Sequence, residues 1–257
     1  MRASFHVIDG RLGFMQEGTH KIVPIRECPS LVPELNEFIR TADPGNAREV
    51  HVVSAPEIAA SFVFDNGTIK RQGRATIHIG KIQYRVSPET FFQANRFLLA
   101  PFLNEVIQQA GPSPKHVLEL YSGVGFFSIP LSQIATELIG VEEHRGAVRQ
   151  AQENAHINER WNLRFLEGQV DRTLRSASVK PDVVVLDPPR AGCGAKTALR
   201  LTELGPQRVV YVSCNPSTFA REASVFLSHG YELRRITLVD QFPNTYHIEM
   251  VGLFELR

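Results

Sequence analysis

The sequence predicts an α/β fold: a seven-stranded, Rossmann-like sheet over residues 91–257, preceded by a smaller α+β lobe over residues 1–90. From about Lys115 onward, short apolar runs alternate with amphipathic stretches. Repeats of that length imply right-handed strand–helix crossovers and a parallel sheet covered on both faces. Past Gly230 the pattern changes to two long strands, Tyr231–Val239 and Tyr246–Leu256, with only residues 240–245 between them. That connection is too short for a parallel crossover, so the pair is antiparallel. Residues 1–90 show neither pattern and are rich in short β segments.

In chain order, an amphipathic helix is expected over Val32–Ile39. Ser61–Phe64 and Thr68–Arg71 flank Asp65-Asn66-Gly67, the strongest hairpin signal in the chain. Ala75–Ile79 and Ile82–Val86 add strands, and a helix over Gln93–Ala110, bent at Pro101, connects lobe to sheet. His116–Leu120 reads as a buried strand, followed by a helix across Phe126–Ile134 and a strand over Leu138–Glu142. A helix from His144 to Ile157 carries Val148, Ala151 and Ala155 on one side. Asn162–Leu166, Asp182–Leu186 and Arg208–Val212 supply three more strands. Phe219, Ala223, Phe226 and Leu227 recur at helical spacing until Gly230, a natural residue just past a helix end.

Composition is that of an ordinary soluble enzyme, 43% hydrophobic and 21% charged. Its three cysteines form neither a disulfide framework nor a metal clip, which points to a reducing, cytoplasmic setting. Met1–Gly10 has no leader-like apolar core, and no apolar run reaches membrane-spanning length. A net charge of +1 says nothing about nucleic acid, because binding depends on where Lys and Arg lie. Lys70-Arg71 with Arg74, and Arg234-Arg235, are the local clusters that would touch phosphate.

Chemistry concentrates where strands end. Asp187-Pro188-Pro189-Arg190 and Ser213-Cys214-Asn215-Pro216 each follow an apolar run, at the strand tips where open parallel sheets bind ligands. Cys214 precedes a helix starting at Pro216, and the field of that N-terminus is expected to lower its thiol pKa. Glu119-Leu120-Tyr121-Ser122-Gly123-Val124-Gly125 makes a glycine turn, and Glu142 at the next tip suits a ribose diol. The turn alone fits NAD as well as S-adenosylmethionine, although the third glycine of the dinucleotide fingerprint would fall at Ser128. The antiparallel end of the sheet and a carboxylate cradle of Glu119, Glu142 and Asp187 favour the sulfonium cofactor.

Four segments carry a resemblance: Phe91-Phe92-Gln93-Ala94-Asn95, the glycine turn, the Asp187 and Cys214 tips, and Asp240-Gln241-Phe242-Pro243-Asn244-Thr245-Tyr246-His247-Ile248-Glu249. Together they resemble the RNA uracil-C5 methyltransferases, which make 5-methyluridine in transfer and ribosomal RNA, with order and spacing agreeing over roughly residues 13–257. The resemblance implies a SAM-dependent methyltransferase sheet, S-adenosylmethionine as cofactor and RNA as partner. It makes Cys214 the nucleophile, Glu249 the proton acceptor, and Gln93, Tyr121, Gly123, Glu142 and Asp187 the cofactor pocket. His247, two residues before Glu249, orients it or packs, and of Phe91 and Phe92 one stacks on a base while the other packs. The chain is expected to act as a monomer and a short form, because relatives' β-barrel RNA-binding module and iron–sulfur cysteines would lie ahead of Met1. Cys28 resembles the last cluster ligand but has no preceding partners. Phe126 stands where relatives place Asn, and Gln169 where an acidic or amide residue meets adenine. A non-catalytic RNA- or cofactor-binding relative is the competing class. A cytosine-C5 enzyme ranks lower, because the Asp187 tip has no second cysteine.

Overall fold

The computed structural model describes residues 1–54, 59–65, 68–72, 74–176 and 180–257, without the side chains of 59–65, 68–72 and 176. The chain divides into two compact units. The first is Met1–His78 with Tyr84–Arg96, and the second is Ile79–Gln83 with Phe97–Arg257.

The first unit is built on an antiparallel sheet of β1 (Arg2–Ile8), β2 (Arg11–Met15), β3 (Ile22–Pro24), β4 (Glu49–Ser54), β5 (Ala59–Asp65) and β6 (Thr68–Gln72), in the order β3-β2-β1-β4-β5-β6. Helix α1 (Pro33–Thr41) starts with a proline, whose missing N–H has no helical partner to lose there. Its Leu35 and Ile39 pack with Phe5, Leu12, Val50 and Val52. β5 and β6 pair with Asp65 opposite Thr68, as a two-residue hairpin loop requires. The expected turn residues Asn66 and Gly67 lie outside the described residues. β7 (Ala75–Ile79) and β8 (Ile82–Val86) form a separate two-stranded ribbon.

The second unit opens with α2 (Leu99–Ala110), shorter than the helix expected over Gln93–Ala110. Pro101 explains the difference. A proline ring clashes with the carbonyl four residues earlier, so the helix begins where proline sits in its first turn, and no bend is needed. The unit continues with β9 (His116–Leu120), α3 (Ser128–Leu131), β10 (Glu137–Glu142), α4 (Arg145–Ile157), β11 (Leu163–Glu167), α5 (Val170–Ser176), β12 (Val183–Leu186), α6 (Ala195–Leu204), β13 (Arg208–Ser213), α7 (Pro216–Ser228), β14 (Tyr231–Val239) and β15 (Glu249–Leu256). α3 covers only part of Phe126–Ile134. Pro130 within it has no N–H, and the following turn tightens into Gln133 to Pro130 and Ile134 to Leu131 bonds.

The sheet order is β11-β10-β9-β12-β13-β15-β14, parallel through β13 and antiparallel for the last two pairings. This is the seven-stranded α/β sheet the sequence predicts. Leu118, Leu120, Val184, Leu186, Val209 and Tyr211 from the strands pack with Phe219, Phe226 and Phe254 in one core. Gly252 in β15 is a close-approach glycine: an added Cβ would lie 2.5 Å from the Phe219 ring. Its bare backbone lets the first turn of α7, just past Cys214, lie flat on the sheet. Among the described residues no helix is long and apolar enough to cross a membrane, and no His, Cys, Asp and Glu group could hold a metal ion.

Candidate active site

Tyr121 follows β9 in the left-handed region at φ +62°, a strained conformation for a side chain of its size. The turn is pinned to the next strand tip by Glu142, whose Oε2 accepts the Gly123 N–H at 2.9 Å and whose Oε1 accepts the His144 N–H at 2.8 Å. These two bonds fix the plane of a half-buried carboxylate and leave its remaining lone pairs available. The buried Ser122 hydroxyl has no partner.

Glu119 corrects the expectation of three anionic carboxylates. It is buried, accepts a hydrogen bond from Ser128 Oγ, and its pKa is raised to about 8 by burial, with Asp187 and Glu142 adding to the effect. Burial thus favours its neutral form and takes it out of the expected carboxylate cradle. The Asp187 N–H reaches the Leu120 carbonyl at 3.4 Å, tying the β12 tip to β9. A cavity of about 350 Å³ is lined by Tyr121, Gln169, Val170, Asp171, Cys193 and Lys196. It shares Glu143 and Gln169 with a second cavity of about 570 Å³ that reaches Glu167 and Gly168 at the β11 tip.

Cys214 and Glu249 lie close together. Ser213, the last residue of β13, faces Met250 of β15, and Cys214 and Glu249 are the next residues along each chain segment, near enough for the Glu249 charge to act on the thiol. Burial raises the Glu249 carboxyl to about 7. The thiol is half-buried and its pKa is raised, not lowered as expected: burial pushes it up, and the nearby Glu249 and Asp187 charges add to that. Arg190 and a backbone hydrogen bond oppose the shift without overcoming it. The field of one helix terminus is outweighed, because the thiol faces two carboxylates from neighbouring strand tips. The N-terminus of α7 is moreover already capped by Asn215, whose side chain accepts the Ser217 N–H at 3.1 Å.

A buried carboxylate that the sequence reading did not find holds the two tips together. Glu222 of α7 accepts the Cys193 N–H at 3.0 Å, the Gly194 N–H at 2.9 Å, the Tyr211 hydroxyl at 2.5 Å, the Cys193 thiol at 3.0 Å and Arg221 at 2.9 Å. Gly192, at φ +86°, makes room: a Cβ there would lie 2.2 Å from Glu222 Oε1. Asn215 donates to the Arg190 carbonyl at 3.2 Å and Arg221 to the Ala191 carbonyl at 3.0 Å, so residues 190–194 are moored to α7 along their length. The signal in the sequence was a charged residue on the apolar face of an amphipathic helix, three residues after Phe219.

His247 lies ahead of β15, so strand alternation with Glu249 does not apply to it. The rings of Phe242 and Tyr246 flank it at 5.8 and 4.2 Å. Gln93 belongs to the first unit, where it is buried, as is Phe92, edge-on to Tyr84 at 5.6 Å. Phe91 is the exposed member of that pair, with the Arg2 guanidinium 5.9 Å from its ring. Phe126 is in the core against Phe127 at 4.8 Å, and Gln169 is exposed.

With this geometry in place, residues 49–257 match the family model described as tRNA (uracil-5-)-methyltransferase. The chain belongs to that family. An uncharacterized RNA methyltransferase of Aquifex aeolicus is 33% identical over all of this chain and 70% of its own length. A 23S rRNA (uracil(1939)-C(5))-methyltransferase RlmD of Shewanella is 39% identical over 66% of this chain and 38% of its own length. The chain thus spans well under half of some curated relatives it matches. The structure of the Pyrococcus abyssi tRNA (uracil-54, C5)-methyltransferase with S-adenosyl-L-homocysteine superposes with a TM-score of 0.78 at 25% identity, covering 98% of this chain and 75% of that one. The chain belongs to a family of S-adenosylmethionine-dependent RNA methyltransferases. Its residues fit that cofactor: the Glu142 and Asp187 carboxylates beside a glycine turn suit a cationic ligand, and the orphaned Ser122 hydroxyl and adjoining cavities suit a nucleoside.

Proposed function

We propose that this methyltransferase modifies C5 of a uridine in ribosomal or transfer RNA through a covalent bond between Cys214 and C6. The observation that carries the reading is the nearness of Cys214, just past the Ser213–Met250 pair of β13 and β15, to Glu249, whose charge acts on the thiol. Uracil C5 is a poor nucleophile. Addition of the Cys214 sulfur at C6 turns the ring into an enolate whose C5 is nucleophilic. Bound S-adenosylmethionine supplies the methyl group that C5 takes. Glu249 then removes the C5 proton as a carboxylate, and the electron pair left behind expels the thiolate from C6. A pKa near 7 suits a base that must also release its proton afterwards. Burial and the neighbouring carboxylates favour the protonated thiol in the free protein, so its proton passes to solvent as the sulfur bonds to C6.

In this reading Tyr121, Gly123, Glu142 and Asp187 cradle the cofactor. The first unit contacts RNA, with exposed Phe91 beside Arg2 as its stacking element. Cys214, just past β13, and Glu249, at the start of β15, belong to one chain, so a monomer suffices, and reduced thiols and RNA are both at hand in the cytoplasm. The test is methyl transfer to RNA from cells lacking the gene, with 5-methyluridine read by mass spectrometry. Cys214→Ser is expected to abolish product while leaving cofactor binding nearly intact. Glu249→Gln is expected to accumulate an RNA–protein adduct, seen as a retarded band on denaturing gels. Substantial turnover by the serine variant would sink the covalent mechanism.

A further inference from the structure

We propose that Tyr246, with His247 and Phe242 behind it and Arg190 beside it, is a stacking platform for the base adjoining the target uridine in single-stranded RNA. The inference rests on the reading of Cys214 as attacking a uridine taken out of its stack.

Four observations within the second unit converge on it. Tyr246 is 61% exposed and Phe242 39%, although large rings on a folded surface are ordinarily covered. Neither is a stray side chain: His247 sits 4.2 Å from the Tyr246 ring and 5.8 Å from the Phe242 ring, making a row of three. The row is rigidly mounted. Asn244 turns the chain at φ +66°, Thr245 donates twice to the Phe242 carbonyl, and its hydroxyl accepts the His247 N–H at 3.2 Å. A ring held this way loses little freedom when a base covers it. The Arg190 guanidinium lies 6.0 Å from the Tyr246 centroid, and Asn215 holds the Arg190 carbonyl. A cation over an aromatic row suits a nucleotide, whose base stacks and whose phosphate is anionic.

Location supplies the occupant. Tyr246 precedes Glu249 by three residues, and Arg190 is close enough to Cys214 to oppose its pKa shift. A uridine bound covalently at Cys214 therefore brings its chain neighbours to this row. Flipping a base removes the stacking partner of each neighbour, and an exposed tyrosine face replaces it. The platform reads a π-face, so it is tolerant of which base adjoins the target.

The test measures binding without turnover. End-labelled short oligouridylate and the same oligomer with abasic riboses on both sides of the central uridine are titrated by anisotropy, with S-adenosylmethionine binding as the control for folding. Tyr246→Ala is expected to weaken the full oligomer by roughly 5- to 100-fold, the range for one lost base–aromatic stack. It is expected to leave the flank-abasic oligomer and cofactor binding unchanged. Tyr246→Phe, which keeps the ring, is expected to bind like the native chain. Equal loss for both oligomers, or no loss for either, would overturn the proposal. A catalytic failure with the Tyr246 pattern intact would instead tell against the Cys214 chemistry alone.

Discussion

Removing the Glu222 carboxylate should cost stability out of proportion to one side chain. Glu222→Ala leaves the Cys193 and Gly194 N–H groups and the Tyr211 hydroxyl without their acceptor, all close to a residue that is 0% exposed. Each orphaned buried donor costs about 1–3 kcal/mol. The three costs do not add fully, because loop 190–194 relaxes and admits water, so the expected loss is about 3–5 kcal/mol. Glu222→Gln keeps one acceptor oxygen but turns an NH₂ toward donors, and about 1–3 kcal/mol is expected. The assay is urea unfolding at neutral pH, with Tyr211→Phe completing a double-mutant cycle. Because Tyr211→Phe removes one of the orphaned donors, the double variant should be more stable than the summed losses by about 0.5–3 kcal/mol. pH supplies an independent check. Burial raises the Glu222 pKa, but hydrogen bonds from Tyr211, Cys193, Arg221 and the Gly194 N–H outweigh it and hold the carboxyl below its ordinary value. Its contribution is therefore present above the ordinary carboxylate pKa and lost as pH falls through the depressed one. Glu222→Ala within about 1 kcal/mol of the native chain, or strictly additive with Tyr211→Phe, would refute the reasoning.

Four other outcomes are expected. Adduct resolution should quicken as pH rises toward about 7, where Glu249 becomes the carboxylate that accepts the C5 proton, and a flat profile through that range would remove Glu249 from the role. The same raised pKa makes the folded state hold a proton that the unfolded chain releases, so between the ordinary glutamate value and 7 this group's contribution to stability declines as pH rises. Gly252→Ala should lower stability by about 1–3 kcal/mol by driving a methyl into the Phe219 ring, and should slow turnover because that ring seats the helix behind Cys214; an unchanged melting temperature contradicts the close approach. Gln241 is buried with neither amide atom partnered, so Gln241→Met should raise the unfolding free energy by about 1–3 kcal/mol, whereas a loss on denaturation would mean the amide is satisfied in solution.

The sheet was legible because strand tips and crossovers leave periodic marks. The limits of β9 and β14 agree with the sequence reading, and helix α4 begins one residue later than expected, with His144 as its cap. Prolines hid the helix starts: both Gln93–Ala110 and Phe126–Ile134 carry enough apolar residues to read as longer helices, and steric exclusion by Pro101 and the missing N–H of Pro130 shortened them. α5 and α6 were missed because each is short and sits inside a connection that the strand pattern treats as spacer. Site residues showed as motif letters, but their protonation did not. The inward Glu119 and the upward-shifted Cys214 both follow from burial and from charges on other strands, information a linear chain does not display. Glu222 showed only as a charge on an apolar helix face, and its partners did not, since its donors come from β13, the loop 193–194 and its own helix.

The position of β15 has a consequence for how the molecule is made. β15 follows β14 in the chain yet lies between β13 and β14 in the sheet. β14 therefore has no strand to join until β15 exists, and the inner edge of β13, with its buried Val209–Val212 run, stays open until then. During synthesis the thiol-bearing tip and all five parallel strands emerge before the segment that closes them. An unpaired apolar edge invites association with other chains, so a ribosome stalled between β14 and β15 should yield an aggregation-prone intermediate that holds Cys214 and lacks Glu249.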